Sequence, residues 1–266
     1  MTDTGSVHRP AQRLTAGGRE KLDEVVAEET AVALVYNGIS HAVMMATPCD
    51  LEDFARGFSL TERIVEKPSE IYDIEVASVG QGVEVRLEIA AQRMVALQER
   101  RRSLAGRTGC GLCGVDSLEA ALRPVPVSRA TGVVSRAAIE RAMVSLPALQ
   151  RINKLNGATH AAGWARADGT LVVVREDVGR HNALDKLGGA LAKDSTAPPG
   201  GFVVVTSRCS YEMVQKAAAL GARAIAAVSA PTSLAIETAE QAGIALVAFV
   251  REGRLTVYAH AAQIVS

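Results

Sequence analysis

FVVVTSRCSYEMVQKAAALGARAIAAV, residues 202–228, decides the fold. Phe202 to Thr206 is a short apolar run, Tyr211 to Leu220 carries apolar residues at helical spacing, and Ala224 to Val228 is a second short apolar run. Runs of this kind are strands buried on both faces, and a helix between two of them is the signature of a parallel crossover. Downstream the alternation continues with a helix over Ser233 to Ala242, a strand over Ala245 to Val250 and a last strand over Leu255 to Tyr258. Upstream lie a helix from Ser135 to Leu146, a hairpin of Thr159 to Ala165 with Leu171 to Arg175 around Asp168-Gly169, and a helix from Asn182 to Leu191. The expected fold class is therefore α/β, with a mixed, mostly parallel sheet flanked by helices.

The first part of the chain reads differently. Ala31 to Tyr36 and Ile39 to Met45 flank Asn37-Gly38, a type I′ hairpin signal. Thr47-Pro48 opens a helix through Leu51, Phe54, Ala55 and Phe58, and Ile71 to Val79 and Val83 to Ile89 are strand-like around Gly80-Gln81-Gly82. The predicted division is a polar arm over 1–28, a small α+β domain over 29–103, a glycine-rich loop and linker helix over 104–134, and the α/β domain over 135–266.

The bulk properties exclude several classes. Of 266 residues, 29 are Lys or Arg and 29 are Asp or Glu, so no global charge grips nucleic acid or an anionic membrane. No stretch reaches the ~18 apolar residues of a membrane span. The first thirty residues lack the apolar core of a secretion signal, and four cysteines are no disulfide scaffold. The expected compartment is the cytoplasm, where a close pair of thiols suggests catalysis or metal binding.

Cys110 and Cys113 are that pair. Leu104 to Gly114 holds four glycines in eleven positions, which argues for a mobile loop exposing both thiols. Arg100, Arg101, Arg102 and Arg107, with a helix starting near Asp116 or Ser117, favour the thiolate that sulfur chemistry needs. A zinc site needs four ligands and there is no second Cys-x-x-Cys; a thiol–disulfide redox pair fits the spacing equally well. Gly109-x-Gly111-x-x-Gly114 matches a dinucleotide fingerprint only formally, since an arginine-rich segment precedes it and no acid follows about twenty residues on. Three segments at expected strand ends suggest a shared pocket. In the first, Arg175 to Lys186, Arg180 and His181 are candidates for gripping phosphate and Asp177 or Asp185 for orienting a partner; capping by Asn182 with surface ion pairs is the plainer alternative. In the second, Thr206 to Glu212, Ser210 can cap a helix beside Arg208. The third is Ser229 to Ser233. Cys49 and Cys209 are isolated and read as packed thiols.

Taken together, VALVYNGISHAVMMATP (32–48), GRTGCGLCGVDSL (106–118), THAAGW (159–164), REDVGRHNALDKL (175–187), SYEMVQKAA (210–218) and FVREGRLTVYAH (249–260) resemble the formate dehydrogenase accessory sulfurtransferases, the FdhD family. The resemblance implies a sulfur carrier. A cysteine desulfurase loads it with persulfide sulfur, which it passes to the molybdenum bis(molybdopterin guanine dinucleotide) cofactor of formate dehydrogenase. That cofactor is bound as substrate, and no tightly bound metal of the protein's own is implied. Carried over by position, Cys110 bears the persulfide and Cys113 assists, while Phe249, Val250, Arg251, Glu252, Gly253 and Arg254 contact the cofactor. The resemblance also implies a C-terminal domain similar to the cytidine deaminase fold, without its chemistry: there is no His-x-Glu, and Gly109 stands before Cys110 where the deaminases have proline. A homodimer is expected as well. Two rival functions remain at this level, a Cys-x-x-Cys thiol–disulfide oxidoreductase and a chaperone that binds the cofactor without chemistry.

Overall fold

The computed structural model describes residues 5–104, 125, 127–128, 132–194, 200–251 and 253–266. Its first element is a hairpin, β1 (Ser6–Thr15) with β2 (Gly18–Ala27), paired antiparallel along its whole length. The expected polar arm is thus regular structure. It reads as an arm because most of its residues are exposed on both faces, so no apolar alternation marks it.

A four-stranded sheet follows in the order β4-β3-β6-β5, built from β3 (Thr30–Tyr36), β4 (Ile39–Ala46), β5 (Ile71–Val79) and β6 (Gly82–Ile89). Asn37 and Gly38 both have positive φ, 46° and 79°, as the Asn-Gly turn between β3 and β4 requires. Helices α1 (Leu51–Thr61) and α2 (Ala91–Leu104) complete this lobe. The core joins Val32, Leu34 and Tyr36 to Phe54, Phe58, Val85, Leu87, Met94 and Leu97. Helix α2 takes in the charged run 98–102, whose composition alone had concealed a helix.

The second sheet has six strands in the order β13-β12-β11-β10-β8-β9. These are β8 (His160–Ala165), β9 (Leu171–Asp177), β10 (Phe202–Val205), β11 (Ala224–Ala227), β12 (Ala245–Arg251) and β13 (Arg254–Ala259). The expected mixed sheet is present, but parallel pairing is confined to its centre, β10–β11 and β11–β12. The outer pairings are antiparallel because β8–β9 and β12–β13 are hairpins, a connection parallel strands cannot make. Side chains alternate between two cores. Val203, Val205 and Ile225 pack with Leu184, Leu187, Met213 and Ala239 from α5 (Arg180–Asp194), α6 (Tyr211–Ala219) and α7 (Ser233–Ala242). Phe202, Val204 and Ala226 pack with Ile139, Ala142 and Leu146 of α3 (Arg136–Leu149). Ser135 caps α3, accepting from the Ala138 amide at 3.1 Å. The four-residue α4 (Asn153–Asn156) follows it, and a two-residue pair, β7 (Val134–Ser135) with β14 (Ile264–Val265), ties the chain's end to the start of α3.

The two lobes meet where α1 lies against α5. A Cβ added at Gly57 would overlap the Asp185 carbonyl, and one added at Gly189 would overlap the Asp53 carbonyl. The helix backbones are in contact, and only glycine permits that approach. Gly57→Ala therefore destabilises the protein by about 2–3 kcal/mol, the usual cost of overpacking a core. Gly17→Ala is the control, since the nearest atom to its new Cβ would be Thr15 Oγ1 at 3.7 Å; it shifts stability by less than about 0.5 kcal/mol. Urea unfolding of both variants checks the pair.

Candidate functional site

The topology gathers the strand-end loops on one edge of the six-stranded sheet. Parallel β10, β11 and β12 bring their carboxyl ends to the same side. The antiparallel hairpins add the start of β8, the end of β9 and the start of β13, with His160 directly opposite Asp177. Backbone hydrogen bonds stitch the loops together. The Thr206 amide donates to the Ala161 carbonyl (3.1 Å), the Cys209 amide to Ala230 (3.1 Å), Thr232 to Cys209 (3.1 Å) and Phe249 to Ser229 (3.4 Å). The three loops expected to share a pocket are therefore joined to one another along one edge.

Arg180 and His181 open α5 on this edge, and Arg208 and Ser210 lie in the loop before α6. Arg180 Nε is buried with no hydrogen-bond partner among the described residues. Ser210 occupies the N-cap of α6, yet its hydroxyl makes no capping bond, whereas Thr232 caps α7 by accepting from the Ala235 amide at 3.2 Å. The Ser210 hydroxyl lies 3.5 Å from His181 Nε2 instead, and the same nitrogen is 2.9 Å from Glu212 Oε2. The hydrogen bond from His181 holds the Glu212 carboxyl below its usual range. Burial, then the charge of Arg180, lowers His160, favouring its neutral ring. An orphan guanidinium nitrogen, a helix start without a side-chain cap and arginines on one edge suit an anion.

The other expected contacts sit at the β12–β13 hairpin, two strands and about 10 Å from β10. Phe249 has φ 53°, an unusual conformation for an aromatic residue, at a break in the β12–β13 register, and the Arg251 guanidinium lies 6.0 Å from its ring centre. Gly253 supplies the positive φ of the turn, and Arg251 and Arg254 are exposed. The Val250 side chain is buried in the core on the α3 side. Glu252, Cys110 and Cys113 lie outside the described residues, as does most of the glycine-rich loop. A cavity of about 380 Å³ lies elsewhere, at the four-stranded sheet, lined by Asp73, Glu75, Glu84 and Glu88 beside Arg86, a setting that repels phosphate.

The segment 175–186 holds the largest surprise. Most of its charges are not surface pairs. Arg175 reaches Asp53 of α1 at 2.7 Å. Glu176 accepts the amides of Ile152 (2.9 Å) and Asn153 (2.8 Å) and the Thr159 hydroxyl (3.0 Å). Asp177 and Lys186 form a fully buried ion pair at 2.7 Å. Asp177 also accepts the Thr47 amide, and Lys186 donates to the Thr47 carbonyl. Asp185 accepts from Lys216 at 2.9 Å and from the Thr61 hydroxyl at 2.6 Å, while Lys216 also reaches Glu62. Burial pulls the Lys216 ammonium down, but Asp185 and Glu62 outweigh it and hold the group above its ordinary value. Asn182 is not the cap either; its amide bridges the Met45 carbonyl and Asp177. Thr47, Asp53, Thr61 and Glu62 belong to the first lobe, so this motif fastens the lobes and thereby places Arg180 and His181. No sequence periodicity signals partners more than a hundred residues away.

An α/β protein with an anion-suited crevice at its strand ends is the class that fold and site define. The chain belongs to the FdhD/NarQ family, whose model matches residues 27–265. It is 60% identical over 236 residues to the sulfur carrier protein FdhD of Cupriavidus necator, covering 88% of this chain and 82% of that one. It is 50% identical over 256 residues to the sulfur carrier protein FdhD of Xanthomonas campestris pv. campestris, covering 96% and 91%. Its fold is similar to the crystal structure of a proposed formate dehydrogenase accessory protein from Desulfotalea psychrophila, with a TM-score of 0.77, 26% identity, and coverage of 98% and 100%.

The two described cysteines are both buried. Burial pushes the Cys209 thiol up to about 12 and raises Cys49 as well, which disfavours the reactive thiolate. Iodoacetamide at pH 8 therefore labels neither Cys49 nor Cys209 in the folded protein and both after unfolding, as peptide mass spectrometry would show.

Proposed function

We propose that this protein carries sulfur for the activation of formate dehydrogenase. Cys110 is the carrier atom's anchor and the strand-end crevice is the seat of the substrate's guanine dinucleotide. The observation that carries the reading is the buried Arg180 Nε, with no hydrogen-bond partner among the described residues, on an edge where Ser210 leaves the start of α6 without a side-chain cap and which also bears Arg208, Arg251 and Arg254. Guanidinium matches phosphate in a bidentate way, so this donor set fits the phosphates of molybdenum bis(molybdopterin guanine dinucleotide), the substrate. The names of the sulfur carriers it resembles support the same reading.

The chemistry follows from thiol exchange. The Cys110 thiolate attacks the outer sulfur of a persulfide on a cysteine desulfurase; a new S–S bond forms on Cys110 as the donor's S–S bond breaks, and the donor leaves as thiolate. Cys113, three positions away, shields or resolves the carried sulfur. Arg107 and the arginines at 100–102 stabilise the thiolate. The protein acts in the cytoplasm as a homodimer. None of the described helices is long and apolar enough to cross a membrane.

Two measurements test this. GDP, a fragment of the substrate, binds by calorimetry, and Arg254→Ala weakens it by about 1–2 kcal/mol, one charge-assisted contact. Unchanged affinity in the Arg180, Arg208, Arg251 and Arg254 alanine variants places the site elsewhere. Treatment with desulfurase and cysteine adds a sulfur mass to the tryptic peptide of Cys110; Cys110→Ser gains none there and leaves formate dehydrogenase inactive, whereas Cys49→Ser and Cys209→Ser keep both properties. Normal activation by the Cys110 variant would replace the carrier with a binding chaperone.

A further inference from the structure

Strand β3 has the sequence TAVALVY, apolar at nearly every position. A run of that kind belongs to a strand buried on both faces, whereas a sheet with one wet face alternates apolar with polar residues. Val32, Leu34 and Tyr36 do point into a core, where they meet Phe54 and Phe58 of α1 and Met94 and Leu97 of α2. On the opposite face Ala31 stands beside Met45 and Ala33 beside Val43. The two larger side chains there, Met45 and Val43, are 50% and 64% exposed. This half of the outer face is thus apolar and open.

The other half of the same face is acidic. Strand pairing sets Glu84 and Arg86 of β6 beside Ala33 and Val35, and Glu75 and Asp73 of β5 beside Arg86 and Glu88. Arg86 is taken by two of the carboxylates, Glu84 at 2.9 Å and Glu75 at 3.4 Å. Asp73 and Glu88 remain, and they are direct cross-strand partners. Like charges placed opposite each other destabilise a sheet. Neither carboxylate meets a cation among the described residues. Both line the cavity of about 380 Å³ at this sheet.

An apolar band beside carboxylates that lack a cation has a specific complement. An anionic lipid surface would meet the apolar band but be repelled by the acids. A protein segment with an apolar stripe flanked by lysines or arginines satisfies both halves. We propose that the outer face of the four-stranded sheet docks a basic amphipathic segment of a partner protein, its apolar side chains on Val43 and Met45 and its cations at Asp73 and Glu88. Helix α1 lies on the other face, between this sheet and α5. The docked segment therefore sits away from the strand-end crevice and leaves it open while the partner is held.

The probe is a helical peptide about 18 residues long, with leucine along one side and lysine along the other. Titrated by fluorescence anisotropy against the full chain, it binds and shields Met45 from hydroxyl-radical oxidation, while Met213 in the core stays unreactive throughout. Asp73→Asn combined with Glu88→Gln weakens binding about tenfold, the loss of two exposed charge contacts. Val43→Ser weakens it about fivefold through lost apolar burial. The double variant removes a repulsion, so its urea midpoint is no lower than that of the wild type, which separates lost binding from lost folding. Glu20→Gln combined with Glu237→Gln makes the same change of net charge on β2 and α7 and leaves affinity unaltered. Absence of binding, equal affinity in the Asp73/Glu88 variant, or oxidation of Met45 at saturating peptide overturns the proposal. Resistance of Met45 to oxidation in the protein alone means that the face is already covered, by a second copy if dilution exposes it and by the chain itself if dilution does not; either result overturns the proposal as well.

Discussion

The contact between the backbones of α1 and α5 is the constraint on which the rest of the structure depends. Gly57 and Gly189 remove the only atoms that would keep the helices apart. At that distance most side chains around the crossing are shielded from water, and the charges among them find one another. Asp177 pairs with Lys186, Asp185 with Lys216, and Arg175 with Asp53, each with hydrogen bonds to the remaining lone pairs or protons. Buried ion pairs of this kind contribute little net stability over an apolar core, but losing one partner leaves a charge with no solvent, at a cost of about 3–5 kcal/mol. They therefore act as a register: the lobes fit in one relative position or not at all.

That register reaches the crevice directly. Asp177 ends β9, accepts the Gly179 and Asn182 donors that shape the first turn of α5, and is itself held by Thr47 and Lys186. Arg180 and His181 are the next residues along. The first lobe is thus part of the site's support although none of its residues was a candidate for binding. The opposite rim is held differently. Phe249 adopts its positive φ at a register break between β12 and β13, where the sheet's own hydrogen bonds fix the backbone. One rim is set by contact between lobes and the other by a bulge within one sheet.

The two buried thiols among the described residues fit the same division of labour. Cys209 donates its backbone amide to Ala230 and accepts from the Thr232 amide with its carbonyl, so it joins two strand-end loops by main-chain bonds while its sulfur fills a core position. Cys49 lies buried in the loop between β4 and α1. Both are chemically quiet because burial disfavours thiolate.

Local chemistry made much of this legible in advance. The Asn37-Gly38 turn, the short apolar strands around 202–228 and the helices between them follow from backbone preference and side-chain period, which act over a few residues. The strand-end loops carrying Arg180, Arg208 and Ser210 follow for the same reason, since a parallel crossover places them on one edge wherever it occurs. Helix α2 escaped because its charged run at 98–102 obeys no apolar period, and the β1–β2 hairpin because most of its residues are exposed on both faces. The meaning of REDVGRHNALDKL escaped for a deeper reason. By itself the sequence determined a charged loop between a strand and a helix. Only the tertiary structure decided that Asp177, Asp185 and Lys186 are buried, because their partners Thr47, Thr61 and Lys216 stand far away in the chain and are brought close by the glycine contact of α1 and α5. Burial turns the same charges from surface solvation into a lock, and burial is a property of packing that no local pattern encodes.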